Sequence, residues 1–108
     1  MTDTGSWQVE YLEEAVKDLE RLDGSLRIRV LKAISKVSQN PLPYTEGGYG
    51  KPLGNKNIAD LTGLFKIKIK NPGIRVVYKL VREKGLMKIV VVAARSDNFV
   101  YKEAQKRS

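Results

Sequence analysis

A chain of 108 residues, 42% hydrophobic and 30% charged, has the composition of one globular domain, 1–108, rather than of a disordered protein. It contains no histidine and no cysteine, which excludes disulfides, thiolate zinc sites, cysteine nucleophiles and every histidine-based general base or triad. The net charge of +8 is unevenly divided: residues 1–23 sum to −5 and residues 24–108 to +13, a field suited to a polyanionic partner such as nucleic acid or an acidic protein, or else simply solubilising.

Taken from the N-terminus, MTDTGSW lacks signal-peptide character, and no apolar run approaches the roughly 20 residues that span a bilayer. A cytoplasmic protein with no membrane partner is expected. Trp7, Val9 and Tyr11 alternate with polar residues, which predicts a strand over 6–11. Leu12, Ala15, Val16, Leu19 and Leu22 then recur at helical spacing, with Glu13, Glu14, Lys17 and Asp18 on the other side. Asp23-Gly24 stops this helix. A second helix carries Leu26, Val30, Ala33, Ile34 and Val37 on its apolar stripe and Arg27, Arg29, Lys32 and Lys36 outside it. So short a turn between two amphipathic helices predicts an antiparallel hairpin.

Residues 40–57, NPLPYTEGGYGKPLGNKN, read as a loop by composition. Gly50-Lys51 does not complete a phosphate-binding loop, because Thr45 stands where the first glycine belongs and Pro52 where a serine or threonine is required. From Leu64 the period becomes two: Phe65 to Lys70 is a strand, Asn71-Pro72-Gly73 a turn, and Ile74 to Arg82 the partner strand. Glu83-Lys84-Gly85 is a second turn, and the unbroken run MKIVVVAA, Met87 to Ala94, predicts a central strand covered on both faces. Asp97 is positioned to cap a last helix over 98–106. The order β-α-α-β-β-β with a short C-terminal helix is an α+β fold, a small antiparallel sheet packed on an N-terminal helical hairpin.

Same-face strand positions lie about 6.6–6.8 Å apart, so Lys66 and Lys68 project side by side, and the hairpin returns Arg75 beside them. Arg95 ends the central strand and Tyr101 follows on the last helix. Such a set suits RNA cleavage by internal transesterification. A lysine crowded by other cations can become partly neutral and act as base, arginine can clamp phosphate oxygens, and tyrosine can stack on a base. No metal or other cofactor is required. Spacing alone also fits a solvated lysine face and a half-buried tyrosine, and leaves a basic α+β domain that binds nucleic acid.

These motifs, from EEAVKDLERLDGSLRIRVLKAI through KPLGN and FKIKI-NPG-IRVVY to VVAARSDNFVYKEAQKR, together resemble the RelE branch of the RelE/ParE toxin superfamily over nearly the whole chain. That resemblance implies a type II toxin that cleaves messenger RNA on the ribosome. It implies that Lys66 and Lys68 serve as base and phosphate contact, that Arg75 stabilises the transition state, that Arg95 protonates the leaving group and that Tyr101 stacks on the messenger base. It further implies an acidic or amphipathic RelB-like antitoxin as partner, besides the ribosome and its messenger. The full five-residue set argues against the gyrase-poisoning ParE branch. The expected RNA-binding residues are Arg27, Arg29, Lys32 and Lys36 on the second helix, held by charge. Lys51 or Lys56 would stand in for an arginine common in the family, since Leu53 is followed directly by Gly54.

Overall fold

The computed structural model describes residues 7–56, 59–71 and 73–108, with backbone only at 55, 56 and 59. The elements are β1 (Gln8–Tyr11), α1 (Glu13–Glu20), α2 (Gly24–Ser38), β2 (Lys51–Lys56), β3 (Ala59–Ile69), β4 (Ile74–Val81), β5 (Leu86–Ala93) and α3 (Asp97–Arg107). Ser6, Asn57 and Pro72, which the expected first strand, loop and turn included, lie outside the described residues.

The strands form one sheet in the order β1-β5-β4-β3-β2. The α+β class, the helical hairpin and the terminal helix are as expected; the sheet differs in two respects. It is mixed, because β1 runs parallel to β5, Gln8 opposite Leu86 and Tyr11 opposite Ile89. It also has a fifth strand within the segment expected to be a loop: Lys51–Lys56 pairs antiparallel with an extended β3. Pro52 and Gly54 gave that segment its loop composition. An edge strand tolerates both, and the register shifts between Pro52 and Gly54.

Residues 40–50 before β2 are equally ordered. Tyr44–Glu46 form a 3-10 turn, Tyr49 N donates to Asn40 O at 2.9 Å, and Gly50 N donates to Leu42 O at 2.9 Å. Tyr78, wholly buried, donates its hydroxyl to Pro41 O at 2.9 Å, and burial raises its phenol well above the ordinary value. A Cβ at Gly48 would lie 2.1 Å from Leu42 O, and one at Gly50 would lie 2.7 Å from the Tyr78 hydroxyl. These glycines therefore answer close packing. On the surface, Arg82 grips Glu46 with two parallel hydrogen bonds of 2.8 and 2.9 Å.

The sheet is buried on both faces. On one, Ala15, Leu19, Val30, Ile34 and Val37 of the hairpin pack against Phe65, Ile74, Val76, Tyr78, Met87, Ile89 and Val92. Phe65 and Tyr78 are register partners whose rings stack at 5.2 Å. On the other, Val100, Tyr101 and Ala104 of α3 cover Leu53, Leu61, Leu64, Val77, Val90 and Val91. Both faces of β5 are thus covered, as its apolar run requires.

Capping departs from expectation at two points. α1 already stops at Glu20, with Arg21 at its C-terminal cap, and Asp23 instead begins α2: its Oδ1 accepts from Leu26 N at 3.0 Å and from the Ser25 hydroxyl at 2.9 Å. Ser96 caps α3, accepting from Phe99 N at 3.3 Å, so Asp97 falls in the first turn with its carboxylate free for another partner. The Leu26 N–H, then the Ser25 hydroxyl, hold the Asp23 carboxyl below its ordinary range. Its stabilising contribution is therefore present above the unfolded-state pKa of about 4 and lost as pH falls through the lower folded value. Thermal melts of Asp23→Ala should lie below those of the wild type at neutral pH and converge on them in strong acid.

Candidate functional site

β3 alternates strictly. Phe65, Ile67 and Ile69 face the helical hairpin, and Leu64, Lys66 and Lys68 take the α3 face. The register then assembles the cations. Lys68 stands directly opposite Arg75 on β4, and Lys51 on β2 stands opposite Lys66. Arg75 in turn faces Ala93, two residues before Arg95 at the end of β5.

The Arg75 guanidinium is doubly held. Its Nε donates to Asp97 Oδ1, and its Nη1 donates to Arg95 O at 2.7 Å. With 20% of its side chain exposed it remains open to a ligand. The exposed Arg95 guanidinium lies 4.0 Å from the centroid of the Phe99 ring, one helical residue pair before Tyr101. Lys66 Nζ and Tyr101 Oη are 3.4 Å apart. Lys66, Lys68, Arg75 and the Tyr101 hydroxyl thus share the α3 face of the sheet, whereas Arg95 meets them through its carbonyl and turns its guanidinium over Phe99, in a cleft shared with Asp18, Arg21 and Leu22. Tyr101 is only 7% exposed, so its hydroxyl reaches the site while its ring is packed beneath α3. Phe99, two residues earlier on α3, is 38% exposed.

The helical cations lie elsewhere. α2 packs on the opposite face of the sheet from Lys66 and Lys68. Arg27 donates to Leu19 O at 3.0 Å and Leu22 O at 2.8 Å, closing the C-terminus of α1. Arg29 donates to Lys70 O at 2.9 Å and to Asn71 O, stapling the β3–β4 turn. That turn holds Asn71 in the left-handed region at φ 52°. Lys36 Nζ lies 5.6 Å from the centroid of Tyr49, and Lys32 is exposed. The Lys56 side chain lies outside the described residues. Sequence reasoning gave Asp97 only a capping role; a carboxylate beside an arginine-rich strand end was the available signal.

A model of the ParE toxin of type II toxin–antitoxin systems, parDE, matches residues 9–99. Among curated proteins, the chain is 27% identical over 99 residues to the mRNA interferase toxin RelE of Escherichia coli K12, covering 92% of this chain and 94% of that one. It is 26% identical over 101 residues to a RelE-like toxin protein of Escherichia coli, covering 94% and 96%. Among solved structures, the isolated E. coli RelE toxin superposes with a TM-score of 0.66 at 28% identity, over 94% of this chain and 98% of that one. The RelBE2 toxin–antitoxin complex of Mycobacterium tuberculosis matches in fold with a TM-score of 0.68 at 23% identity, over 90% and 100%. The chain belongs to the RelE/ParE superfamily of type II toxin–antitoxin toxins, as a RelE-like member.

Proposed function

We propose that this toxin is a metal-independent endoribonuclease that cuts messenger RNA in the ribosomal A site. The observation that carries the reading is the gathering of Lys66, Lys68 and Arg75 with the Tyr101 hydroxyl on one sheet face, with Lys51 beside them and the Arg95 carbonyl bonded to Arg75. The curated name of the E. coli K12 relative, an mRNA interferase, supports it.

In this mechanism a lysine of the Lys66–Lys68 pair takes the proton of a 2′-hydroxyl, whose oxygen attacks the adjacent phosphorus. Arg75, with the other lysine, stabilises the charge on the phosphorane oxygens. The bond from phosphorus to the 5′-oxygen breaks, and the departing oxygen takes a proton from the Arg95 side. The products are a 2′,3′-cyclic phosphate and a 5′-hydroxyl. The Tyr101 hydroxyl orients the Lys66 ammonium, while the exposed Phe99 ring offers a flanking base its stacking surface. The ribosome presents the messenger in the attacking geometry, supplying what a site without a strong base lacks. The cations of α2, on the other sheet face, are left to contact ribosomal RNA at a distance from the chemistry. An antitoxin with an acidic or amphipathic segment neutralises the toxin by covering or distorting the cationic face.

The test is expression of the chain alone, with messenger 5′ ends mapped on translating ribosomes, beside Arg75→Ala/Arg95→Ala. Cuts within A-site codons that vanish in the double variant are expected. The ParE description of the matched family favours a second reading, a toxin acting by binding DNA gyrase. Gyrase-linked DNA breaks with intact messenger, unchanged in the double variant, would establish that reading in place of the first.

A further inference from the structure

Within a face that gathers Lys51, Lys66, Lys68 and Arg75, Asp97 brings a carboxylate into direct contact with Arg75. That contact depends on the start of α3. Because Ser96 takes the capping position, Asp97 sits in the first helical turn, where its carboxylate is compatible with the helix dipole and needs no backbone partner. Together Asp97 Oδ1 and the Arg95 carbonyl occupy Nε and Nη1 of Arg75. Among the described residues no group accepts from Nη2, so its two N–H groups, with the second N–H of Nη1, are left for a ligand. With 20% and 43% of the two side chains exposed, the ion pair contributes little to stability. Its consequence is geometric: two anchors from one rigid strand-to-helix junction fix a long side chain that is otherwise free to rotate.

We propose that Asp97 is a positioning residue for the cleavage reaction, its carboxylate oxygen holding the Arg75 guanidinium in place to meet the scissile phosphate through Nη2. This rests on the role assigned above to Arg75. A carboxylate beside a phosphate-binding arginine would, on charge alone, act as a brake. Here it takes the Nε edge while Lys51, Lys66 and Lys68 share the face, so orientation outweighs repulsion.

The experiment compares wild type, Asp97→Asn and Asp97→Ala on ribosomes programmed with a defined A-site codon, under single-turnover conditions. In parallel, the Arg75 Nε–H is followed by 15N NMR in the free proteins. Asparagine keeps an oxygen that accepts from Nε; alanine does not. Asp97→Ala should cleave about 10–50-fold more slowly, with its half-saturating ribosome concentration within about twofold of wild type, while Asp97→Asn stays within about threefold in rate. The slowly exchanging Nε–H signal should be present in wild type and Asp97→Asn and lost in Asp97→Ala. A rate in Asp97→Ala equal to or above that of wild type, or equal losses in both variants, would overturn the proposal. If wild type does not cleave, the nuclease reading has failed by itself. The NMR comparison then decides the point: a signal unchanged in Asp97→Ala still rejects Asp97 as the anchor, and its selective loss upholds it.

Discussion

Arg75→Ala is expected to slow single-turnover cleavage of ribosome-bound messenger by about 10²–10³-fold, corresponding to about 2.7–4 kcal/mol of transition-state stabilisation. Arg75 is the cation most tightly built into the face: it stands opposite Lys68, and the Arg95 carbonyl takes its Nη1 at 2.7 Å. Arginine is required there because one planar group must satisfy Asp97, a carbonyl and a phosphate together. An ammonium is a point charge with no such fork, so Arg75→Lys should recover less than about tenfold. The loss will not come from unfolding, since the Arg75–Asp97 pair is partly exposed and its removal should change stability by no more than about 1 kcal/mol. Combining Arg75→Ala with Arg95→Ala should cost far less than the product of the single effects, because both act on one transition state. Rates from primer extension on programmed ribosomes, with melting temperatures alongside, measure all of these. Cleavage by Arg75→Ala at the wild-type rate would remove Arg75 from the chemistry.

The face that carries this site was legible because period two is unambiguous in Leu64–Ile69: with Phe65, Ile67 and Ile69 committed to a core, Lys66 and Lys68 must share the other side. The turn then fixed Arg75 beside them. β2 was not legible, because Pro52 and Gly54 oppose strand formation locally and only pairing with β3 along a sheet edge overrides them. Nor was the parallel placement of β1, which depends on docking the α1–α2 hairpin across the sheet. The stacking role that the resemblance implied for Tyr101 meets a ring packed beneath α3, the alternative that its place on an end helix had left open. Arg27 and Arg29 looked like free surface cations, but Arg27 bonds carbonyls across the α1–α2 turn and Arg29 carbonyls of the β3–β4 turn, and composition cannot show such partners. Asp18 misled most. It falls on the polar side of α1 by spacing, yet it is 6% exposed.

The burial of Asp18 leads to the largest stability effect expected in the molecule. β1 ends at Tyr11, opposite Ile89, so β5 continues past it with backbone groups that no strand of the sheet takes up on that side. Asp18 Oδ2 accepts from Val92 N at 3.0 Å, and Arg107 Nη1 donates to Val90 O at 2.9 Å. The two side chains meet at 2.8 Å, and Arg107, 10% exposed, also donates to Glu103 at 3.0 Å. Burial opposes the charge of Arg107, but Asp18 and then Glu103 outweigh it and raise its pKa. One ion pair therefore completes the open edge of β5 and ties α1 to the end of α3. Asp18→Ala leaves a buried guanidinium balanced only by the partly exposed Glu103 and a buried N–H without its acceptor, and should cost about 3–5 kcal/mol. Against a total stability of about 5–15 kcal/mol, a fall in Tm of more than about 12 °C follows. Asp18→Asn, which can still accept from Val92 N, should lose less. Replacing the pair together, as Asp18→Leu/Arg107→Met, should recover much of the loss because no uncompensated charge stays buried, although the Val92 N–H and the Val90 carbonyl lose their side-chain partners. Urea melts of wild type, Asp18→Leu, Arg107→Met and Asp18→Leu/Arg107→Met form a double-mutant cycle. Additive losses in that cycle would show that Asp18 and Arg107 act separately and that the ion pair is not what closes this edge of the sheet.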